Sequence, residues 1–173
     1  MVGRVSSPPE LTVRAATMDD LSEIAELVAR SFADDQVRAY ERILHFWLAI
    51  MPERPGFTPE MLRVGLVDGQ IVSHAMMRQY TMRYGQAILK VAGVGAVCTH
   101  ESYRHHGYAA VIMRDLLTYI AEQGAHVSLL HGRVPHYYEK FGYSPVFPKY
   151  YFTFSTEDAA DLPQYLHVRD AEL

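Results

Sequence analysis

Between Leu21 and Met51 apolar residues return at steps of three and four. They are Leu21, Ile24, Leu27, Val28 and Phe32, then Val37, Tyr40, Ile43, Leu44, Trp47, Leu48 and Met51. That spacing lays one apolar stripe along a helix, so two helical segments are predicted, the second stopped by Pro52. Thr17 and Asp20 stand ahead of the first with the Thr-x-x-Asp spacing that satisfies free N–H groups at a helix start. From Met61 the period becomes two. Met61–Val67 and Gln70 to about Tyr80 read as strands joined by Asp68-Gly69, a pair that readily supplies the positive φ angles of a tight hairpin. Gln86 to Thr99 reads as the next strand, and Gly93 and Gly95 inside it are expected at a bulge or a close approach. Tyr108 to Gln123 returns to the helical period, with Ala109, Ile112, Met113, Leu116, Leu117 and Ile120 on one face and Gly124 as its stop.

Leu11–Ala16 completes the pattern as a short opening strand. Val127–His131 is expected as a buried strand, Pro135–Phe141 as a short helical piece, and Phe147–Phe154 as a final aromatic strand. Pro52–Pro59 is a cluster of breakers that belongs on the surface. The element order predicts an α/β (α+β) fold with a mixed, mostly antiparallel central sheet flanked by helices.

Composition narrows the class. The 173 residues are 49% hydrophobic and 21% charged, which fits one domain with its own core. No apolar run is long enough to cross a bilayer, and Met1–Pro9 lacks the apolar stretch of a secretory signal, so a cytoplasmic protein with no membrane partner is expected. Cys98 is the only cysteine, leaving no intramolecular disulfide and no cysteine-based zinc site. In a strand it reads as a small apolar group rather than a nucleophile. His100, His105 and His106 match no standard ligand spacing, and no metal is expected. The net charge of −4 argues against a broad electrostatic hold on nucleic acid.

The most informative stretch is Val97-Cys-Thr-His-Glu-Ser-Tyr-Arg-His-His-Gly-Tyr-Ala109. A loop running into a helix aims several N–H groups at one spot, and a glycine lets an anion reach them, so a pyrophosphate could settle there. Arg104 adds charge. Arg-x-x-Gly-x-Ala after a strand ending Val-x-Thr resembles the acetyl-coenzyme A signature of the GNAT superfamily of N-acetyltransferases. Tyr138-Glu-Lys-Phe-Gly-Tyr143 is similar to that family's later Tyr-x-x-x-Gly-Phe/Tyr stretch, and the likeness extends over residues 11 to 154.

The resemblance implies a sheet that splays at a bulged strand and acetyl-coenzyme A as cosubstrate. It implies that Val97, Cys98 and Thr99 lie along the cofactor, with backbone groups of Val97 and Thr99 pairing with the pantetheine arm. It further implies that N–H groups of His105, His106, Gly107, Tyr108, Ala109 and Ala110 hold the pyrophosphate beside Arg104. Tyr138 falls where many members carry the tyrosine that protonates the departing thiolate. A phenol of pKa about 10 suits a thiolate of pKa about 8.5. A backbone N–H near Val97 would polarise the thioester oxygen. No motif marks the base that deprotonates the amine. His131 and His74 are candidates beside a reading of each as a hydrogen-bonded structural histidine, and Glu101 is read as solvated.

The expected activity is transfer of an acetyl group to a primary amine of a small molecule or peptide, by direct attack with both substrates bound. The alternative is a non-catalytic coenzyme A-binding or structural module of the same fold. Residues 1–10 read as a flexible lead-in, 11–154 as the acetyltransferase domain, and 155–173 as a linker and C-terminal strand. Leu166-His-Val-Arg-Asp-Ala171 echoes Leu11-Thr-Val-Arg-Ala-Ala16. The tail thus reads either as a docking strand, within this chain or in a homo-oligomer, or as the first strand of a tandem second domain.

Overall fold

The computed structural model describes residues 9–33, 36–132, 134 and 136–146. The chain enters through β1 (Thr12–Ala15) and turns into its first helix at the box read from the sequence. Asp20 Oδ2 accepts from the Thr17 N–H at 2.7 Å and from Thr17 Oγ1 at 3.0 Å. A 3-10 turn over Met18–Asp20 leads into α1 (Leu21–Phe32). Arg14 reaches across from β1 and donates to both Asp20 oxygens, at 2.6 and 2.9 Å.

That guanidinium, helped by the two Thr17 donors, holds the Asp20 carboxyl at about 2 against the opposing effect of burial. A carboxyl held below its unfolded value stabilises the fold fully above about pH 4, and the contribution drains away as pH falls through 2. Arg14 is 40% exposed, so the pair is discounted for solvent to about 1 kcal/mol. Asp20→Asn is expected to lower the thermal midpoint at pH 7 by a few degrees and to flatten its decline between pH 4 and pH 2. Thermal melts across that range check both.

The second apolar stripe forms α2 (Val37–His45), which continues as one wide π-type turn over Phe46–Ile50 rather than as regular helix up to Pro52. Trp47 and Met51 are buried by that turn, whereas Val37 and Leu48 face outward. β2 (Leu62–Val67) and β3 (Gln70–Tyr84) meet at Asp68-Gly69, whose φ angles are +50° and +80°. β3 and β4 (Ala87–Thr99) form a longer ribbon than the pattern predicted, reaching Tyr84 before turning at Gly85. The extension, Thr81 to Tyr84, is exposed apart from a half-buried Met82, so no hydrophobic alternation marks it.

α3 (Tyr108–Glu122) then crosses to β5 (Val127–Leu130). The sheet order is β1-β2-β3-β4-β5, antiparallel throughout except for the parallel pair β4–β5. β5 is half-buried along its length and stops at Leu130, a shorter and less covered strand than Val127–His131 was expected to be. The helical piece after it is a 3-10 turn over Glu139–Phe141. The predicted strand Phe147–Phe154, the linker and the tail lie outside the described residues. No helix among the described residues is long and apolar enough to cross a membrane.

The core has two layers, one on each side of the sheet. α1 and the Trp47 turn cover one face with Ile24, Leu27, Val28, Leu62, Val64 and Met76. α3 covers the other with Ile112, Met113 and Leu116 against Ala75, Met77, Ala92 and Val94. Along β4, Ala92 and Val94 belong to the α3 layer, but Ala96 and Cys98 belong to the α1 layer. A regular strand would keep all four on one face, so the chain gains a residue between Val94 and Cys98. The register agrees: His74 pairs with Cys98 and Met76 with Gly95, leaving Ala96 and Val97 opposite the single residue Ala75.

Gly93 and Gly95 were expected at a bulge or a close approach; the extra residue falls just past Gly95, at Ala96 and Val97. The strained residue is Ala96, at φ +48°. Gly93 is instead small because the Tyr80 ring lies over it; a Cβ there would sit 2.7 Å from Tyr80 Cε2. At Gly95 a Cβ would make only ordinary contact with Met76.

Candidate acyl-transfer site

Pairing between β4 and β5 ends at Val94–Leu130, and β4 then runs on from Gly95 to Thr99 with no strand on that side among the described residues. The parting opens a cleft of about 560 Å³. One wall is the free edge of β4, the floor is the loop and first turn of α3, and the far wall carries Leu130, His131, Tyr137, Tyr138 and Lys140. Ser31 and Phe32 at the end of α1 close it from the other layer.

The bulge decides which backbone groups face the cleft. His74, fully buried on β3, has Nδ1 3.0 Å from the Ala96 carbonyl oxygen. Every described peptide is trans, so the next N–H, that of Val97, points the opposite way, away from β3. Val97 has no cross-strand partner, and it lines the cleft. Further along, the His100 N–H returns to the Val72 carbonyl at 2.8 Å. Alternation along an antiparallel pair then turns the Thr99 N–H outward as well.

At the bottom of the cleft the chain leaves β4 through a 3-10 turn, Glu101–Tyr103, and enters α3 at Gly107. Gly107 is left-handed, at φ +82°, and a Cβ there would meet nothing within 4 Å. His105 also has positive φ, at +67°. The N–H groups of His105, His106, Gly107, Tyr108 and Ala109 donate to no backbone carbonyl among the described residues, whereas that of Ala110 bonds the Gly107 oxygen at 2.9 Å. Unpaired donors at a helix N-terminus, with its partial positive charge, make a cradle whose chemistry suits an anion.

Arg104 Nε donates to the Thr99 carbonyl at 3.3 Å, which sets the guanidinium at the cradle's rim. The Tyr108 hydroxyl donates to the Pro9 carbonyl at 2.5 Å and pins the first turn of α3. Of the sequence-predicted cofactor residues, Val97, Cys98, Thr99, Arg104, His105, Gly107, Tyr108, Ala109 and Ala110 line the cleft. His106 does not. Its Nδ1 lies 3.3 Å from the Tyr103 oxygen and its ring packs on Tyr108.

Tyr138 is half-buried on the far wall. Its ring lies so close to Gly132 that a Cβ there would come within 2.9 Å of Cδ2 and Cε2. Gly132 therefore backs the Tyr138 ring without lining the cleft itself, a packing role that nothing in the sequence marks. Tyr143 anchors the stretch: its hydroxyl lies 2.5 Å from Ser128 Oγ, which donates to the Ala92 carbonyl at 3.2 Å. Gly142, left-handed at φ +88°, reverses the chain between the two tyrosines. The Tyr138 hydroxyl has no hydrogen-bond partner among the described residues. Burial first, then the neighbouring Tyr137 and Tyr143, raises its pKa, so it stands in the cleft as a protonated donor.

The base candidates separate. His74 is shut off from solvent, and burial pushes it down to about 4, so it cannot collect a proton from an amine in the cleft. His131 is exposed and lines the cleft one residue beyond β5. Glu101 is exposed and lines a separate cavity of about 420 Å³ on the other side of Arg104. The buried Cys98 thiol is pushed up to about 12 by desolvation, the behaviour of a packing group and not of a nucleophile. Among the described residues no group of three or more His, Cys, Asp or Glu side chains is arranged to hold a metal.

The fold has many counterparts among solved structures. A predicted acetyltransferase from Clostridium acetobutylicum, solved with acetyl-CoA, is 14% identical with a TM-score of 0.64, the match covering 86% of this chain and 98% of that one. A GCN5-related N-acetyltransferase from Kribbella flavida is 19% identical at 0.63, covering 78% of this chain and 33% of that one. A conserved protein of Enterococcus faecalis V583 is 20% identical at 0.61, covering 77% and 32%. This chain thus spans about a third of the length of the last two. At such identities the likeness is one of fold. A search of curated proteins finds no match. The model of the acetyltransferase (GNAT) domain, however, matches residues 12–146, from the first strand to the stretch after Tyr143, and the chain belongs to the GNAT acetyltransferase family.

Proposed function

We propose that the protein transfers the acetyl group of acetyl-coenzyme A to a primary amine of a small molecule or peptide. The observation that carries the reading is the splayed edge of β4 joined to an open anion cradle in one cleft. The residues fit the cosubstrate: unpaired N–H groups from His105 to Ala109 suit a diphosphate, and the free edge at Val97 and Thr99 suits an amide-bearing arm. The same arm would run past the buried Cys98 and bring its thioester to the bulge.

There the Val97 N–H would donate to the thioester oxygen as the amine attacks and negative charge grows on it. The tetrahedral intermediate collapses by breaking the carbon–sulfur bond: the Tyr138 hydroxyl supplies the proton that the thiolate takes, the attacking nitrogen gives up its second proton to solvent as the amide forms, and solvent returns a proton to Tyr138. The amine must first lose its own proton, because at neutral pH it is almost entirely an ammonium ion. His131, an exposed imidazole on the far wall of the cleft, is our candidate to accept it.

Incubation of the protein with acetyl-coenzyme A and a panel of primary amines, read by release of free thiol, tests the reading. Amine-dependent release with at least one panel member, matched by an acetylated product in mass spectrometry, is expected. Tight coenzyme A binding with no release across the panel would favour a non-catalytic binding module.

A further inference from the structure

The buried imidazole of β3 has no place in the mechanism as a base, yet it touches a strained peptide of the cleft. His74 is fully buried, and its ring meets that of Trp47 in a T-shaped contact at a centroid distance of 5.3 Å. Its Nδ1 lies 3.0 Å from the Ala96 oxygen, and its Nε2 has no partner. A carbonyl can only accept, so the proton of this neutral ring sits on Nδ1 and Nε2 carries the bare lone pair. Burying a polar ring with an unused nitrogen costs more than burying leucine in the same space. What the imidazole supplies in return is a donor at a single carbonyl.

That carbonyl belongs to Ala96, left-handed at φ +48°, a conformation that costs an alanine about 1–2 kcal/mol. The bulge has no cross-strand partner of its own to hold it, since Ala96 and Val97 both lack one. We infer that His74 is a positioning residue: its Nδ1–H clamps the Ala96 carbonyl, and so fixes the Val97 N–H, on the other end of the same peptide, toward the thioester oxygen. The inference rests on the acetyl-transfer reading above. The bond has a second effect in the same direction. A carbonyl that accepts a hydrogen bond polarises its amide, and the N–H of that amide becomes a stronger donor.

The test compares His74→Leu with His74→Asn. Asparagine carries an N–H donor at the same distance from the backbone as Nδ1, while leucine fills the space without one. His74→Leu is expected to lower kcat on the order of 10–100-fold, with KM for acetyl-coenzyme A changed less than about threefold. His74→Asn is expected to recover most of the loss. Nitrogen-15 NMR of the wild-type protein should show the ring protonated on Nδ1, and the Val97 amide resonance should move in His74→Leu and return toward its place in His74→Asn.

A wild-type kcat in His74→Leu overturns the inference. So does a His74→Asn variant that is folded and as slow as the leucine variant, or a ring protonated on Nε2. The NMR readouts need no acceptor and no turnover. A wild-type protein inert toward every amine, with the Nδ1 proton and the Val97 coupling intact, removes the acetyl-transfer reading and leaves the clamp standing.

Discussion

Coenzyme A titrated into a Gly107→Asp variant is expected to bind on the order of 100-fold more weakly than to the parent, while Gly107→Asn stays within a few-fold. The two substitutions are nearly equal in size, and both residues tolerate left-handed backbone better than other non-glycine types, so they share whatever strain φ +82° imposes. Space is not the issue, because the position opens onto nothing within 4 Å. Only charge separates them. A carboxylate about 5 Å from a phosphate, at an effective dielectric near 20, costs about 3 kcal/mol, which is the hundredfold asked of the experiment. Calorimetry measures it, and thermal melts confirm that both variants fold. Equal affinities for the two would mean that the diphosphate lies elsewhere and that the cradle at α3 holds no anion.

Positions where a turn demands a particular residue were legible in the sequence. Asp68-Gly69 closes the hairpin with both residues at positive φ, Gly107 and Gly124 are left-handed at either end of α3, and Thr17 with Asp20 opens the first helix. At each, a local rule and the fold ask for the same residue, so one short stretch is enough to read the feature. The residue that carries the bulge was not legible for the converse reason. Ala96 carries no signal of its left-handed backbone, which is held from outside by His74, twenty-two residues away in sequence. The glycines before it mark only its neighbourhood: Gly95 adjoins the bulge, and Gly93 is small to admit Tyr80.

The same distinction runs through the site. The cradle is contiguous in sequence, so its spacing could be read directly. Gly132 and Tyr138 matter to one another only because the chain folds back after β5, and nothing in a Gly followed six residues later by a Tyr announces that. The exposed end of the β3–β4 ribbon was cut short because strand period is visible only where one face is buried. Burial also removed His74 from the list of bases, a judgement on solvent access that residue type alone does not contain.

Tyr138→Phe is the sharpest test of the chemistry. The substitution removes one oxygen and keeps the ring, so the packing against Gly132, Tyr137 and Tyr143 survives. No described hydrogen bond is lost, and stability is expected to change by less than about 0.5 kcal/mol. Coenzyme A affinity should hold as well, since the cradle and the edge of β4 are untouched. What disappears is the proton for the leaving thiolate, and loss of a placed general acid lowers kcat on the order of 100- to 10,000-fold. The acid limb and plateau of the pH–rate profile should remain, because the amine and its base still set them. The fall at high pH, where the parent loses the phenolic proton, should vanish. Burial and the two neighbouring tyrosines raise that pKa, so in the parent the fall is expected only above pH 10. Steady-state kinetics on an amine that the panel identifies, with acetyl-coenzyme A saturating, read both effects together. Full activity with an unaltered alkaline limb would reduce Tyr138 to a packing residue and require the thiolate to find its proton in water.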